Sequence, residues 1–349
     1  MASPVRRSTT VSIVIGIAIP IVVFGVVFPH VTSYQDAYDA VASCTPGWLM
    51  ALLLASLLNV MLYPFPVLMS LRDLTYQRGF VVRQSGYLMS NLTPVGGALA
   101  VGTQFGVLTR FGVKQSRAAA AVAADALWAF LLTIALPTVA IALLAVQREG
   151  DQYLWLALIG LLMLVMSVAG TIIVLRSERG ATALGGAVER ALSPVMTRLH
   201  QPRLHVTASI LAFRVDAYDI VRQRWLSLTV TQSLAETMPF VILFCALGGL
   251  SPVSNTVTAT EVFAAYSLSI ALNALPLTPG GLGMTDAALV ALLVSFGADT
   301  STAVAADIVW RLTWFLPQML IGAGALTVHL LRVHRDSSST AETPQVPPP

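Results

Sequence analysis

A chain of 349 residues that is 56% hydrophobic and only 11% charged departs from a soluble domain, in which about a quarter of the residues are charged. Lipid is therefore its solvent, and a cytosolic enzyme or soluble binding module is excluded. The formal net charge of +3 does not indicate nucleic acid, because the basic residues sit in short loops flanking apolar runs, the pattern that orients membrane proteins.

The first apolar run, 11–28, follows Arg6 and Arg7. It is longer than the ~7–15 residues of a secretory signal core and reads as an uncleaved span behind a cytoplasmic N-terminus, residues 1–10. The loop after it holds Asp36 and Asp39 and no Lys or Arg, so it is external. Run 48–69 returns the chain to Arg72, Arg78 and Arg83, all three read as cytoplasmic. Stretch 86–109 is apolar but interrupted at Thr93-Pro94-Val95-Gly96-Gly97, and Arg110, Lys114 and Arg117 follow it. A full crossing would strand one basic cluster outside, whereas a re-entrant hairpin keeps both inside.

Runs 118–146 and 153–175 go out and back. The segment 176–224 is then cytoplasmic and rich in Arg. Within it, Leu184, Val188, Leu192, Val195, Met196 and Leu199 recur at helical spacing, which reads either as an interfacial helix on anionic lipid or as a linker helix. Run 225–250 leads outward. Stretch 261–296, broken at Pro279-Gly280-Gly281-Leu282-Gly283, has no Lys or Arg, as a hairpin entering from outside requires. Run 302–331 returns to Arg332 and Arg335, so both termini are cytoplasmic and only Arg148 and Arg311 lie elsewhere. The tail, 336–349, is Pro-rich and expected to be disordered. Cys44 and Cys245 fall near the outer surface, but no disulfide framework or metal spacing surrounds them.

The two broken stretches resemble one another. In both, 18 positions separate the Thr of Thr-Pro from the Phe of Phe-Gly: Thr93 to Phe111, and Thr278 to Phe296. The span after each carries Ala-Val-Ala-Ala-Asp-x-x-Trp, at 121–128 and again at 303–310. The expected fold is thus an all-α polytopic membrane protein in one membrane domain, 11–335, with six full spans and two re-entrant Pro/Gly-broken hairpins. The units, about 47–146 and 225–331, are inverted relative to each other by the charge argument. Inverted units with broken helices mark secondary transporters.

Charge at membrane depth is costly and by default functional. Glu236 lies 11 residues into its run, near the midplane, with Pro239 freeing carbonyls beside it. Asp125 and Asp307 lie at similar depth. Asp125 is either a site residue or wetted from the cytoplasmic side. Arg311, one turn beyond Asp307, either pairs with it or bridges to Glu236. Asp286 suits a helix N-terminus, and the free helix ends at both Gly-Gly breaks suit an anionic head group. Asn91, Asn273, Gln104 and Gln318 suit interhelix hydrogen bonding.

The run Leu275-Pro276-Leu277-Thr278-Pro279-Gly280-Gly281-Leu282-Gly283-Met284-Thr285-Asp286, followed by Trp310-Arg311-Leu312-Thr313-Trp314-Phe315-Leu316-Pro317, resembles the flippase-like family. That family includes the transmembrane region of lysylphosphatidylglycerol synthase, the multiple peptide resistance factor. Its pattern is Pro-Gly-Gly-x-Gly-x-x-Glu, then an aromatic-Arg pair and a Pro. Here Asp286 replaces the Glu, and Gly96-Gly97-Ala98 stands where many members carry a Gly-Glu pair. The resemblance implies movement of a charged or glycosylated lipid between leaflets of a bacterial or archaeal plasma membrane, with Asp286 and Arg311 functional. Lipid aminoacylation is not expected, because the synthase's soluble domain is not in this sequence.

Read together, these features predict a lipid or lipid-linked precursor translocator whose cavity is lined by Glu236, Asp286, Asp307 and Arg311, with Asp125 nearby. The breaks at Pro94, Gly96, Gly97, Pro279, Gly280, Gly281 and Gly283 line the site. Anionic or lipid-linked membrane lipids are the expected partners, with a homodimer or an envelope-synthesis complex as further association. No cofactor, metal or nucleic acid is expected. A lipid-modifying membrane transferase, or a non-catalytic subunit docking through 176–224, are the rival functions.

Overall fold

A computed structural model describes residues 45–92, 96–147, 151–179, 206–250, 257–274 and 278–341, with isolated positions 39, 42 and 182. The first predicted span, Pro94, Cys44 and most of the Arg-rich segment lie outside these residues. All the regular structure described is helical.

Pro46 opens α1, Pro46–Leu62, and a turn ending in Pro64 separates it from the short α2, Phe65–Ser70. Then α3, Tyr76–Leu92, and α4, Gly96–Arg110, pack side by side as a helical hairpin. The long α5, Gln115–Gln147, contains Pro137, and α6, Asp151–Arg176, follows it. Next comes α7, Val206–Leu250, which contains Pro239. A second hairpin joins α8, Ala259–Ala271, to α9, Met284–Ser295, with 3₁₀ pieces at Leu272–Ala274 and Pro279–Gly281. The last elements are α10, Thr300–Trp310, a π-turn over Arg311–Phe315, and α11, Leu316–Ala341.

Among the described residues, five helical stretches are long and apolar enough to cross a membrane: Pro46–Ser70, Gln115–Gln147, Trp155–Ile173, Arg222–Leu250 and Thr300–Arg332. They correspond to five of the six predicted spans. Several boundaries differ from expectation. The first hairpin begins at Tyr76 rather than at residue 86, so Arg83 lies inside α3 and is only 4% exposed. It is a core residue and not a cytoplasmic flank. The helix of the fourth spanning stretch starts at Val206, well before Trp225. The last helix runs to Ala341, into the segment read as disordered.

Local chemistry explains the helix ends. Thr258 and Glu261 form a reciprocal capping box: the Thr258 N–H donates to Glu261 Oε2 at 2.7 Å, and the Glu261 N–H donates to Thr258 Oγ1. Asp299 caps α10 through the Ser301 and Thr302 N–H groups, and these bonds with that of the Ser301 hydroxyl hold its carboxyl below the ordinary range. The paired Phe-Gly motifs end α4 and α9 alike. Gly112 and Gly297 have φ of 83° and 109°, and Val113 and Ala298 each donate back to a leucine carbonyl in the last turn, at 3.1 and 3.0 Å. Both are Schellman caps, which need the left-handed residue that glycine supplies.

Pro317 lacks an N–H, so the Thr313 carbonyl has no partner four residues on. The chain widens there into the π-turn, and the Ser56 hydroxyl of α1 donates to that carbonyl at 2.5 Å.

Among the described residues, four apolar clusters organise the packing. One joins α2, α3, α4 and α5 through Val67, Val82, Leu108 and Val122. A second joins α1 with α7, α8, α9 and α10 through Leu52, Ile242, Tyr266, Leu289 and Trp310. Two smaller ones cross between them: Tyr87 and Leu88 of α3 meet Phe315 and Met319, and Ala140 and Leu144 of α5 meet Ala264 of α8. Each hairpin's first arm thus packs on the helix that follows the other hairpin. By contrast, α6 packs mainly on α5 and leaves Trp155, Leu162 and Met166 exposed, as suits a lipid-facing helix.

Candidate functional site

Pro279, Gly280, Gly281 and Gly283 redirect the chain between the arms of the second hairpin. Gly281 has φ of 67°, and a Cβ there would lie 1.8 Å from Asn273 Oδ1. Asn273 is held in that place by the Thr285 hydroxyl, which donates to it at 2.8 Å. In the first hairpin a Cβ on Gly96 would meet the Ser90 carbonyl at 2.1 Å, whereas Gly97 faces open space. Gly281→Ala is therefore expected to destabilise by more than about 2 kcal/mol. Gly97→Ala is expected to be neutral or to stabilise by about 0.5–1 kcal/mol. Thermal unfolding of the two purified variants checks both.

The turn aims α9 so that Asp286 sits in its first turn. The Gly283 N–H donates to Asp286 Oδ2 at 2.7 Å. The other oxygen, Oδ1, accepts from Arg311 Nε at 2.5 Å, and Arg311 Nη2 lies equally close but without hydrogen-bond geometry. Arg311 is 3% exposed, with Trp310, Trp314 and Phe315 around its guanidinium at 5.2–5.8 Å. Asp307 is buried beside the pair, with Asp286 and Arg311 as its charged neighbours. The expected alternatives for Arg311 are both corrected: it pairs neither with Asp307 one turn away nor with Glu236, because the hairpin brings Asp286 to it first.

A second charged cluster surrounds Arg83. Arg83 Nη1 donates to Asp125 Oδ2, and its Nε donates to the Tyr63 carbonyl at 3.1 Å while the guanidinium lies 4.2 Å from the Tyr63 ring centre. Asp125 is thus buried and paired, not wetted from one face. Glu236 belongs to this cluster too: Gln232 Nε2 donates to Glu236 Oε1 at 3.1 Å, and Arg83 and Asp125 are its charged neighbours. Around Pro239, the Glu236 carbonyl accepts from the Tyr266 hydroxyl and the Pro239 carbonyl accepts from Trp310 Nε1 at 2.8 Å.

The predicted residues therefore separate into two clusters. Arg83, Asp125 and Glu236 form one; Asp286, Asp307 and Arg311 form the other. Each holds one guanidinium and two carboxyls. Each also has buried polar atoms without a protein partner, among them Arg83 Nη2, Asp125 Oδ1 and Asp307 Oδ1, with Gln84 and Gln318 likewise unpaired in the same interior. Buried polar groups normally find partners, so this interior has unused capacity for water or a polar ligand. Of the neutral residues singled out, Asn273 serves the turn and Asn91 donates to the Tyr87 carbonyl.

Arg83 is the buried charged residue that sequence reasoning placed in a loop. Its signal was weak: a lone Arg in the run Val81-Val82-Arg83-Gln84-Ser85-Gly86, among small residues that favour close helix packing.

No curated protein matches the chain. A family model described as the lysylphosphatidylglycerol synthase TM region matches residues 12–322 of its 349. The chain belongs to that family.

Proposed function

We propose that this protein moves a charged or glycosylated lipid, or a lipid-linked precursor, between membrane leaflets by alternating access of two inverted units. The observation that carries the reading is the pair of matched charged clusters. In each unit a buried guanidinium–carboxylate pair joins the hairpin to the helix after it: Arg83 to Asp125, and Asp286 to Arg311. The signs are exchanged between the units. Burying an ion pair is seldom the most stable solution for a site, so two of them, each tying a hairpin to the helix after it although not at positions the repeat equates, speak for use. With every group ionised, each cluster carries one excess negative charge, which favours a cationic head-group moiety or a coupling proton.

Three further features support the inverted arrangement. The Phe-Gly caps are the same in both units, each hairpin's first arm packs on the other unit's following helix, and basic residues flank the first hairpin while none flanks the second. Inverted repeats with broken helices at the centre are the architecture of alternating access. Membership of a family named for lysylphosphatidylglycerol synthase supports a lipid rather than a soluble solute as the substrate.

The test is head-group-labelled phosphatidylglycerol and lysylphosphatidylglycerol in proteoliposomes, with a membrane-impermeant quencher reporting exchange between leaflets. Movement of either lipid by the wild type, lost in Asp286→Asn, supports the reading. Absence of movement with both, at protein densities that saturate the vesicles, overturns it for these classes. Cysteine accessibility in a Cys44→Ser, Cys245→Ser background is the companion measurement. Labelling of residues 75–77 and 114–116, which are exposed, from one face, and of position 299 from the other, is the expected topology.

A further inference from the structure

A lateral crevice of about 790 Å³ opens between α1, α3, α4 and α11. It is separate from the two charged clusters and has two chemically distinct ends. One wall is apolar, built by Met61, Phe80, Val81, Ile321 and Val328. The other end is formed by Gln77, Arg110, His329 and Arg332. No acidic residue is among the described residues that line it. Arg78 adds a further cation at the rim: its guanidinium lies 5.5 Å from the centre of the Phe111 ring, and His329 packs edge-on against the same ring at 4.8 Å.

His329 is the unusual member. It is 6% exposed, its Nε2 has no protein partner, and its charged neighbours are both arginines, Arg110 and Arg332. A buried imidazole nitrogen set among cations, with no carboxylate among the described residues to satisfy it, is suited to an anion. Arg110 and Arg332 are exposed, so such an anion can reach them. The crevice falls within the about 300–1,000 Å³ of ordinary ligand sites, and its apolar wall excludes a small hydrophilic anion as the sole occupant.

We propose that this crevice binds one anionic phospholipid of the surrounding leaflet. The phosphate is held by Arg110, Arg332 and His329, and an acyl chain lies along Phe80, Val81, Ile321 and Val328. The occupant is inferred from charge complementarity at one end and apolar complementarity at the other. Guanidinium groups recognise phosphate through charge-assisted hydrogen bonds, and basic pockets between membrane helices are suited to lipid head groups. The site stands whether or not the chain moves lipid.

Retention of lipid by the purified full chain, read by native mass spectrometry, tests it. The probes are dioleoylphosphatidylglycerol, dioleoylglycerol and inorganic phosphate. The wild type is expected to retain phosphatidylglycerol, and Arg110→Gln/Arg332→Gln is expected to bind it about tenfold or more weakly. Val328→Trp, which fills the apolar wall and leaves every charge in place, is expected to lose it as well. It is the variant to rely on if the double change does not fold. Arg176→Gln/Arg222→Gln, on another basic face, is expected to keep it.

Equal retention of phosphatidylglycerol by wild type and the Arg110/Arg332 variant overturns the proposal. So does equal retention of dioleoylglycerol, which would make the crevice a nonspecific apolar slot. Displacement by millimolar inorganic phosphate would do the same by showing a free-anion site. Wild-type vesicles that move no lipid, with retention still lost in both crevice variants, would leave this site standing and remove the transport reading alone.

Discussion

Arg83→Met is expected to lower the stability of the purified protein by about 3–5 kcal/mol, the cost of leaving a buried carboxylate without its partner. Asp125→Leu alone is expected to cost a similar amount, because it strands the guanidinium instead. The double variant Arg83→Met/Asp125→Leu removes both charges and is expected to recover most of the loss. Lipid movement should stay abolished in all three. Thermal unfolding in detergent, run beside the vesicle assay, separates stability from function here. A double variant no more stable than the singles would mean that the two charges do not act as a unit. A double variant that regains lipid movement would mean that the pair is structural.

Glu236→Gln is expected to behave in the opposite way. Glu236 makes no ion pair with a described residue and keeps one hydrogen bond from Gln232, which a glutamine oxygen can also accept. The folded protein should therefore lose no more than about 1 kcal/mol. Removing the excess negative charge of its cluster is nevertheless expected to slow lipid movement by about tenfold or more, the equivalent of one pKa unit of lost interaction with a cationic group or proton. Glu236→Gln vesicles that match the wild type would place Glu236 outside the transport path.

The part of the fold legible in the sequence is the part that lipid dictates. A span must be long, apolar and hydrogen-bonded within itself, so stretches such as Gln115–Gln147 and Trp155–Ile173 announce themselves by length. The Phe-Gly motifs were also legible, because a left-handed cap leaves glycine in the sequence. Arg83 was not. Orientation rules treat an arginine near a span end as a loop marker, and α3 has too mixed a composition to register as membrane-embedded before residue 86. Its surroundings are other helices rather than lipid, so hydrophobicity is not required of it.

The site was half legible for a related reason. Depth along a helix can be counted, and it placed Asp125, Glu236 and Asp307 in the interior. Lateral neighbourhood cannot be counted, because it depends on which hairpin arm lies against which helix. Hence Glu236, one of the two partners considered for Arg311, instead lies with Arg83. Asp286 was expected to occupy a helix start, which it does, but its second oxygen is committed to Arg311.

Trp128 and Trp310 close equivalent segments of the two units, and each donates its indole N–H to α7: Trp128 to the Thr229 hydroxyl at 2.9 Å and Trp310 to the Pro239 carbonyl at 2.8 Å. Those acceptors are ten residues apart, about 15 Å along the helix and half the thickness of the hydrocarbon layer. The chain has six tryptophans, so replacing the other four with phenylalanine would leave two intrinsic fluorophores at different heights, one for each unit. Lipids brominated at chosen acyl carbons would quench them unequally, and a rocking of one unit against the other would become visible as an exchange of brightness without any attached label.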